Sequence, residues 1–205
     1  MNRKDHWDSV YRTTAPDAVS WYQPRPALSL QLIGHTGLGK GEAIIDVGGG
    51  ASVLVDHLLE AGYSRVAVLD ISNTALSHAR ERLGARAPLV EWIEADVTAF
   101  APPHLFALWH DRAVFHFLTD PSDRRKYVDA LERALAPTGH LIMVTFAVTG
   151  PQKCSGLDVC RYDPDSIRRE MGDEFRLLEH LDETHRTPSG AAQAFTYFRF
   201  QRRRQ

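Results

Sequence analysis

Cysteine is scarce in this 205-residue chain, which carries only Cys154 and Cys160. That excludes a disulfide-stapled scaffold, and two cysteines alone do not make a zinc site. Free thiols and no resident metal are therefore expected. Long apolar runs are missing as well. Nothing approaches the roughly 20 residues that span a bilayer. The polar stretch from Met1 to Tyr11 has no apolar signal core. A cytoplasmic protein with no membrane partner is the expectation. Net charge is nearly absent, at −2, which argues against a global attraction to nucleic acid. The basic tail Arg199, Arg202, Arg203 and Arg204 reads as a solvated end. Repeats and low-complexity tracts are lacking too. With 43% apolar and 24% charged residues, the composition is that of one ordinary globular domain over residues 1–205.

What is present is an alternation. From residue 43 onward, apolar runs of strand length alternate with amphipathic stretches of helical spacing. Strands are expected at 43–47, 66–69, 90–93, 106–110 and 140–146. Helices are expected at 52–61, 73–83, 121–135 and 164–171, with Asp120 and Asp163 as caps for the last two. Two final strands, 175–181 and 194–200, have no helix between them. The pattern predicts an α/β fold: a doubly wound, Rossmann-like, seven-stranded sheet, mostly parallel with an antiparallel C-terminal hairpin. Residues 1–40 break the rhythm and hold Trp7, Tyr11, Trp21 and Tyr22. They are expected to form a helical N-terminal cap on a core of residues 41–205.

The sharpest local signal is Asp46-Val47-Gly48-Gly49-Gly50-Ala51-Ser52, between the first strand and the first helix of the core. In an open parallel sheet, ligands bind beyond the carboxyl ends of the strands. A dinucleotide fingerprint needs a third glycine where this chain has Val53. Asp46 would also repel a pyrophosphate but suits a cationic amino-acid ligand. The alternative is a tight turn that binds nothing. Asp70 ends the second strand, where a carboxylate can accept both ribose hydroxyls; it can equally cap the next helix. Ile71 follows and can pack on adenine. Asp96, beside Val97, follows the third strand and can take the adenine amino group, or be a plain surface acid. Their conjunction beside one crevice is more specific than any one of them.

These segments resemble the successive cofactor motifs of class I S-adenosylmethionine-dependent methyltransferases, over residues from about 43 to 200. Leu135-Ala-Pro-Thr-Gly-His-Leu-Ile resembles that family's approach to its fifth strand, with Thr138 in place of a glycine. Trp109-His110-Asp111-Arg112-Ala113 looks like a segment of the thiopurine and thiol methyltransferase group. Trp7-Asp8-Ser9-Val10-Tyr11 and Ser20-Trp21-Tyr22 resemble the aromatic cap of that group, and also that of methyltransferase-like proteins acting on protein lysines. The resemblance implies S-adenosylmethionine as cofactor, held by Trp21, Asp46, Gly48, Gly49, Gly50, Asp70, Ile71, Asp96, Val97 and Asp111.

Methyl transfer needs the acceptor held in line with the methyl carbon and water kept out. Residues after the fourth and fifth strands are placed for this. Asp111 is a candidate to orient the nucleophile, and His116 a candidate base; a satisfied, non-catalytic histidine is the alternative. Arg112, Lys153, Arg161 and Tyr162 are candidates for binding the acceptor, although Arg112 can instead pair with Asp111. The expected acceptor is a small-molecule nucleophile, such as a thiol or other soft atom. The alternatives are a protein lysine, and a cofactor-binding protein without turnover. An oxidoreductase is disfavoured by Val53.

Overall fold

Two helices, α1 (Arg3–Thr13) and α2 (Ala27–His35), precede the first strand in the computed structural model, which describes residues 2–204. Then β1 (Ala43–Val47), α3 (Leu54–Glu60), β2 (Arg65–Asp70), α4 (Asn73–Leu83), β3 (Val90–Glu94) and β4 (Phe106–Arg112) alternate as expected. They are followed by α5 (Pro121–Ala134), β5 (Leu135–Phe146), a short hairpin of β6 (Lys153–Cys154) and β7 (Leu157–Asp158), α6 (Pro164–Met171), β8 (Phe175–Arg186) and β9 (Ala192–Arg202).

The helix boundaries follow from capping chemistry. Ser72 caps α4 by accepting the Ala75 N–H, and Gly84 ends it with a positive φ of 54°. Asp120 caps α5, with Pro121 in its first turn. Asp163 and Ser166 exchange hydrogen bonds in a capping box at α6.

Among the described residues, seven strands form one sheet in the order β3-β2-β1-β4-β5-β9-β8. The first five are parallel, and β9 runs antiparallel between β5 and β8. Alternate side chains feed two cores. Ile45, Leu69, Trp109 and Met143 pack on one face against α5 and α6. Ile44, Val68, Leu108 and Val144 pack on the other against α2, α3 and α4. Burial on both faces explains why these strands read as continuous apolar runs. Chain order reverses between β1 and β4, so a crevice opens beyond their carboxyl ends.

Three features differ from the sequence expectation. The strand β5 begins at Leu135, five residues early, with a register irregularity opposite Phe106 and Leu108. Thr138 takes a left-handed φ of 62° there. The β6–β7 hairpin turns on Ser155 and Gly156, both at positive φ. The cap, expected to be helical, also brings a small core of its own. Tyr11 and Val19 form a small third core with Ala51 and Ala75, against which Trp7, Trp21 and Tyr22 pack. No helix among the described residues is long and apolar enough to cross a membrane.

Candidate active site

The glycine loop leaves β1 with Gly48 at φ 66°, and a Cβ there would lie 2.0 Å from Val114 Cγ2. A Cβ on Gly50 would lie 2.5 Å from Asp70 Oδ2 and 2.9 Å from Ala75 Cβ. Glycine is therefore required on steric grounds, and the loop lies directly on the Asp70 carboxylate.

Beyond this loop lies a cavity of about 380 Å³. Asp70 is one wall. It is 6% exposed, and its Oδ1 accepts the Ser72 N–H at 2.8 Å. Burial pushes its pKa up to about 7, against the pull of the Ser72 and Gly50 N–H groups. Ile71, Val97 and Leu118 supply an apolar slot beside it. Asp96 also borders the cavity. Its Oδ1 accepts the Thr98 N–H at 2.9 Å and the Thr98 hydroxyl at 2.7 Å, which leaves Oδ2 toward Arg3 at 3.4 Å.

The roof comes from the N-terminal cap. Trp7 makes edge contacts with Trp21 and Phe117, at centroid separations of 5.8 and 4.9 Å. The helix α1 is pinned over the strand ends by Arg3 to Asp96 and Asp123 and by Lys4 to Glu94. Asp8 adds a third tie, accepting from Ser72 Oγ at 2.6 Å.

A smaller cavity of about 40 Å³ shares Tyr11, Trp21 and Gly48 with the first and is bordered by Asp46, Gly49, His110 and Arg112. The parallel register sets Asp46 opposite His110. His110 Nδ1 lies 2.7 Å from Asp46 Oδ1, and its Nε2 lies 2.9 Å from Ser29 Oγ on α2. All three side chains are buried. Asp46 Oδ2 has no hydrogen-bond partner among the described residues.

Eight of the ten predicted cofactor residues thus border these two cavities, and Gly50 and Asp111 do not. Gly50 lies against the Asp70 carboxylate, whereas Trp21, Asp46, Gly48, Gly49, Asp70, Ile71, Asp96 and Val97 border the space. Asp111 is 0% exposed. Its Oδ1 accepts the Val114 N–H, while Oδ2 accepts the Phe115 N–H and the Tyr127 hydroxyl at 2.6 Å. Burial pushes it up to about 6, and the Tyr127 hydrogen bond opposes this. With its acceptors so engaged, it organises the turn after β4 and borders neither cavity.

His116 is also 0% exposed. Its Nδ1 accepts the Phe146 N–H, its ring packs on Phe117 and Phe146, and burial together with Arg112 holds its pKa down at about 3. Its Nε2 is buried without a hydrogen-bond partner among the described residues, and His116 borders neither cavity. Arg112 makes no pair with Asp111; it donates to the Trp21 carbonyl at 2.7 Å and to Tyr197 Oη at 3.3 Å. Lys153 is 68% exposed and pairs with Asp158 at 3.3 Å. Arg161 donates to the Val148 and Gly150 carbonyls. Tyr162 is buried in the core, and burial pushes its phenol up. Of the post-β5 segment it is Leu157 and Asp158 that reach the large cavity. Cys154 is buried, Cys160 is half-buried, and both are free thiols.

Residues 44–139 match a family described as a methyltransferase domain. Among curated proteins, the chain is similar to the eEF1A lysine and N-terminal methyltransferase of Bos taurus, at 27% identity over 144 residues. That match covers 68% of this chain but 20% of the relative, so the chain spans about a fifth of its length. Among solved structures, one reported for the conversion of a disulfide bond into a thioacetal group during echinomycin biosynthesis superimposes with a TM-score of 0.78, at 21% identity, over 98% of this chain and 92% of that one. The N-methyltransferase NodS of Bradyrhizobium japonicum WM9, in complex with S-adenosyl-L-homocysteine, gives a TM-score of 0.73 at 19% identity, over 96% and 98% of the two chains. The matched segment runs from β1 into β5 and identifies residues 44–139 as a methyltransferase domain, and the chain as a whole shares the fold of these solved structures.

Proposed function

We propose that this chain transfers the methyl group of S-adenosylmethionine to a small-molecule nucleophile that reaches the site already deprotonated or uncharged, such as a thiolate, another soft atom or a free amine. The observation that carries this reading is the roof. The ties of α1 to Asp96, Asp123, Glu94 and Ser72 hold Trp7 and Trp21 over part of the cavity. A partly roofed cavity of this size suits a small acceptor better than a folded protein surface.

The residues fit the cofactor. Asp70 is a buried carboxylate pushed up to about 7, and hydrogen bonds from a ribose diol would stabilise its ionised form. Ile71 and Val97 line the space for adenine, and Asp96 borders it with Oδ2 paired to Arg3. Asp46, with an unpartnered buried oxygen, suits the methionine ammonium. When bound, S-adenosylmethionine supplies a methyl carbon made electrophilic by its sulfonium. Trp7, Trp21 and Phe117 keep water from the acceptor, and their faces favour a cationic centre. Burial holds the His116 pKa down and the Asp111 oxygens are engaged by Val114, Phe115 and Tyr127, which favours an acceptor that brings its lone pair ready.

A protein lysine is the second reading, and the eEF1A-modifying relative supports it. A labelled-methyl assay across small thiols, small amines and lysine-bearing proteins separates the two. Transfer to small molecules is expected. Transfer to proteins alone would overturn the small-molecule reading, and cofactor binding with no transfer to any panel would favour a non-catalytic binding protein.

A further inference from the structure

Tyr11, Trp21 and Gly48 border both the large cavity and the small one. On the proposed cofactor reading, the nucleoside lies along Asp70 and Ile71 in the first, and the amino-acid end lies beside Asp46 in the second. The reacting sulfur joins those two ends, so these three residues surround the point of transfer. Gly48 comes from the sheet side and has no side chain. Trp21 brings an indole from the cap. Tyr11, on α1, is the one of the three that brings a hydroxyl.

Tyr11 is held firmly. It is buried in the cap core with Val19, Ala51 and Ala75, and its ring meets Trp21 edge-on at a centroid separation of 6.2 Å. Its carbonyl lies 3.0 Å from His78 Nε2 on α4. Burial, and after it the charge of Asp70, push its phenol far above the usual range, so the hydroxyl stays neutral. A neutral phenol can hold a nucleophile in two ways. Donating its O–H would engage the lone pair that must attack. Accepting a hydrogen from the nucleophile leaves that pair free. The second way needs an acceptor atom with both a hydrogen and a lone pair, which an uncharged amine has and a tertiary amine or thiolate has not. Charge points the same way. Asp70, Asp96 and Asp158 border the large cavity, and Arg3, its cation among the described residues, is spent on Asp96 and Asp123. An anion would enter against that field. Trp7, Phe117 and Leu157 offer the acceptor an apolar surround.

We propose that Tyr11 orients the acceptor by accepting its N–H, and that the acceptor class is an uncharged primary or secondary amine on an apolar body. This rests on the proposed methyl-transfer reading and narrows its acceptors to one class. The nitrogen lone pair forms the new bond to the methyl carbon while the sulfur–carbon bond breaks, its electron pair staying on sulfur. The ammonium product leaves the site and gives its proton to water. A tertiary amine has no hydrogen to offer Tyr11, so methylation stops at the tertiary stage.

The test uses the full chain and three probes on one aryl body: aniline, which is uncharged at neutral pH, N,N-dimethylaniline, which has no N–H, and thiophenol, which arrives as a thiolate. Calorimetry on the wild type saturated with S-adenosylhomocysteine should show aniline bound about fivefold more tightly than N,N-dimethylaniline, the worth of one hydrogen bond. With S-adenosylmethionine, aniline should be methylated faster than thiophenol. Tyr11→Phe keeps the ring and loses the oxygen. It should erase the preference for aniline and lower its turnover number about tenfold or more, while affinity for S-adenosylhomocysteine stays within about twofold. Should that variant fail to fold, the wild-type comparison of the three probes carries the test. Equal losses for aniline and N,N-dimethylaniline in Tyr11→Phe would make Tyr11 a packing residue and overturn the inference. Methylation of thiophenol but not of aniline would overturn it too, with the proposed function intact. So would binding of S-adenosylhomocysteine with no binding or methylation of any probe. Failure of the wild type to bind S-adenosylhomocysteine would instead remove the reading on which the inference rests.

Discussion

Tyr127 donates its hydroxyl to Asp111 Oδ2 at 2.6 Å and accepts the Trp109 indole N–H at 2.9 Å, with all three side chains fully buried. This chain ties α5 to the end of β4 beneath the site. Tyr127→Phe leaves the indole without an acceptor and Asp111 short of a donor. A stability loss of about 1–3 kcal/mol is expected by urea unfolding. The affinity for S-adenosylhomocysteine should stay within about twofold. An equal loss of affinity would place Asp111 in the cofactor site after all.

Asp70 gives two pH dependences of opposite sign. Its folded pKa of about 7 lies above the unfolded carboxylate value of about 3.9. Its contribution to the stability of the ligand-free chain is therefore fully present below about pH 4 and is lost as pH rises through about 7. Cofactor affinity should move the other way, because the ionised carboxylate is the better acceptor for two hydroxyls. Dissociation constants for S-adenosylhomocysteine should fall as pH rises through about 7, and Asp70→Asn should flatten that slope. Superimposable profiles for the two proteins would show that Asp70 is not the titrating contact.

The β6–β7 hairpin supplies Leu157 and Asp158 to the large cavity, while Lys153 points its charge at Asp158 from a largely exposed position. Leu157→Ala should raise the acceptor Michaelis constant with little change in cofactor affinity. Lys153→Ala should change neither by more than about twofold, because exposed ion pairs contribute roughly 0–1 kcal/mol. Steady-state kinetics with the acceptor found in the panel assay checks both; a large Lys153 effect would restore it as an acceptor contact.

Thr138 holds a left-handed φ of 62° near the start of β5. A β-branched residue in that region is strained by about 1–2 kcal/mol. Thr138→Gly should therefore raise stability, by about 1 kcal/mol once the greater freedom of the unfolded glycine is counted. Denaturant midpoints measure this directly, and an unchanged or lower midpoint would contradict it.

The strand ends were readable because local chemistry announces them. An acid closing an apolar run, followed by a glycine or a cap, is visible at Asp46, Asp70 and Asp96 without any tertiary knowledge. The roles of Asp111 and His116 were not readable. They depend on Tyr127 and Phe146, which lie on α5 and β5 and reach them only across the folded core. Likewise Arg3 and Lys4 look like ordinary surface charges until folding brings them over Asp96 and Glu94, some 90 residues away. The β6–β7 hairpin has two-residue strands, too short for any periodicity. His110 sat inside a legible motif, yet its meaning comes from register: only the pairing of β1 with β4 sets it against Asp46.

The roof over the cavity has two unlike layers. Its underside is aromatic, Trp7 against Trp21 and Phe117, and its outer fastening is ionic, with Arg3 and Lys4 at 40% and 44% side-chain exposure. Counter-ions screen the ionic fastening, whereas aromatic contacts do not depend on charge. At physiological ionic strength the Debye length is about 8 Å and shrinks to about 3 Å at 1 M salt. Added salt therefore loosens the entrance and leaves the chamber's walls alone. Ligand residence time should shorten in concentrated salt while the order of preference among ligands persists, so the dissociation rate, and not selectivity, is what the ionic surroundings of this protein set.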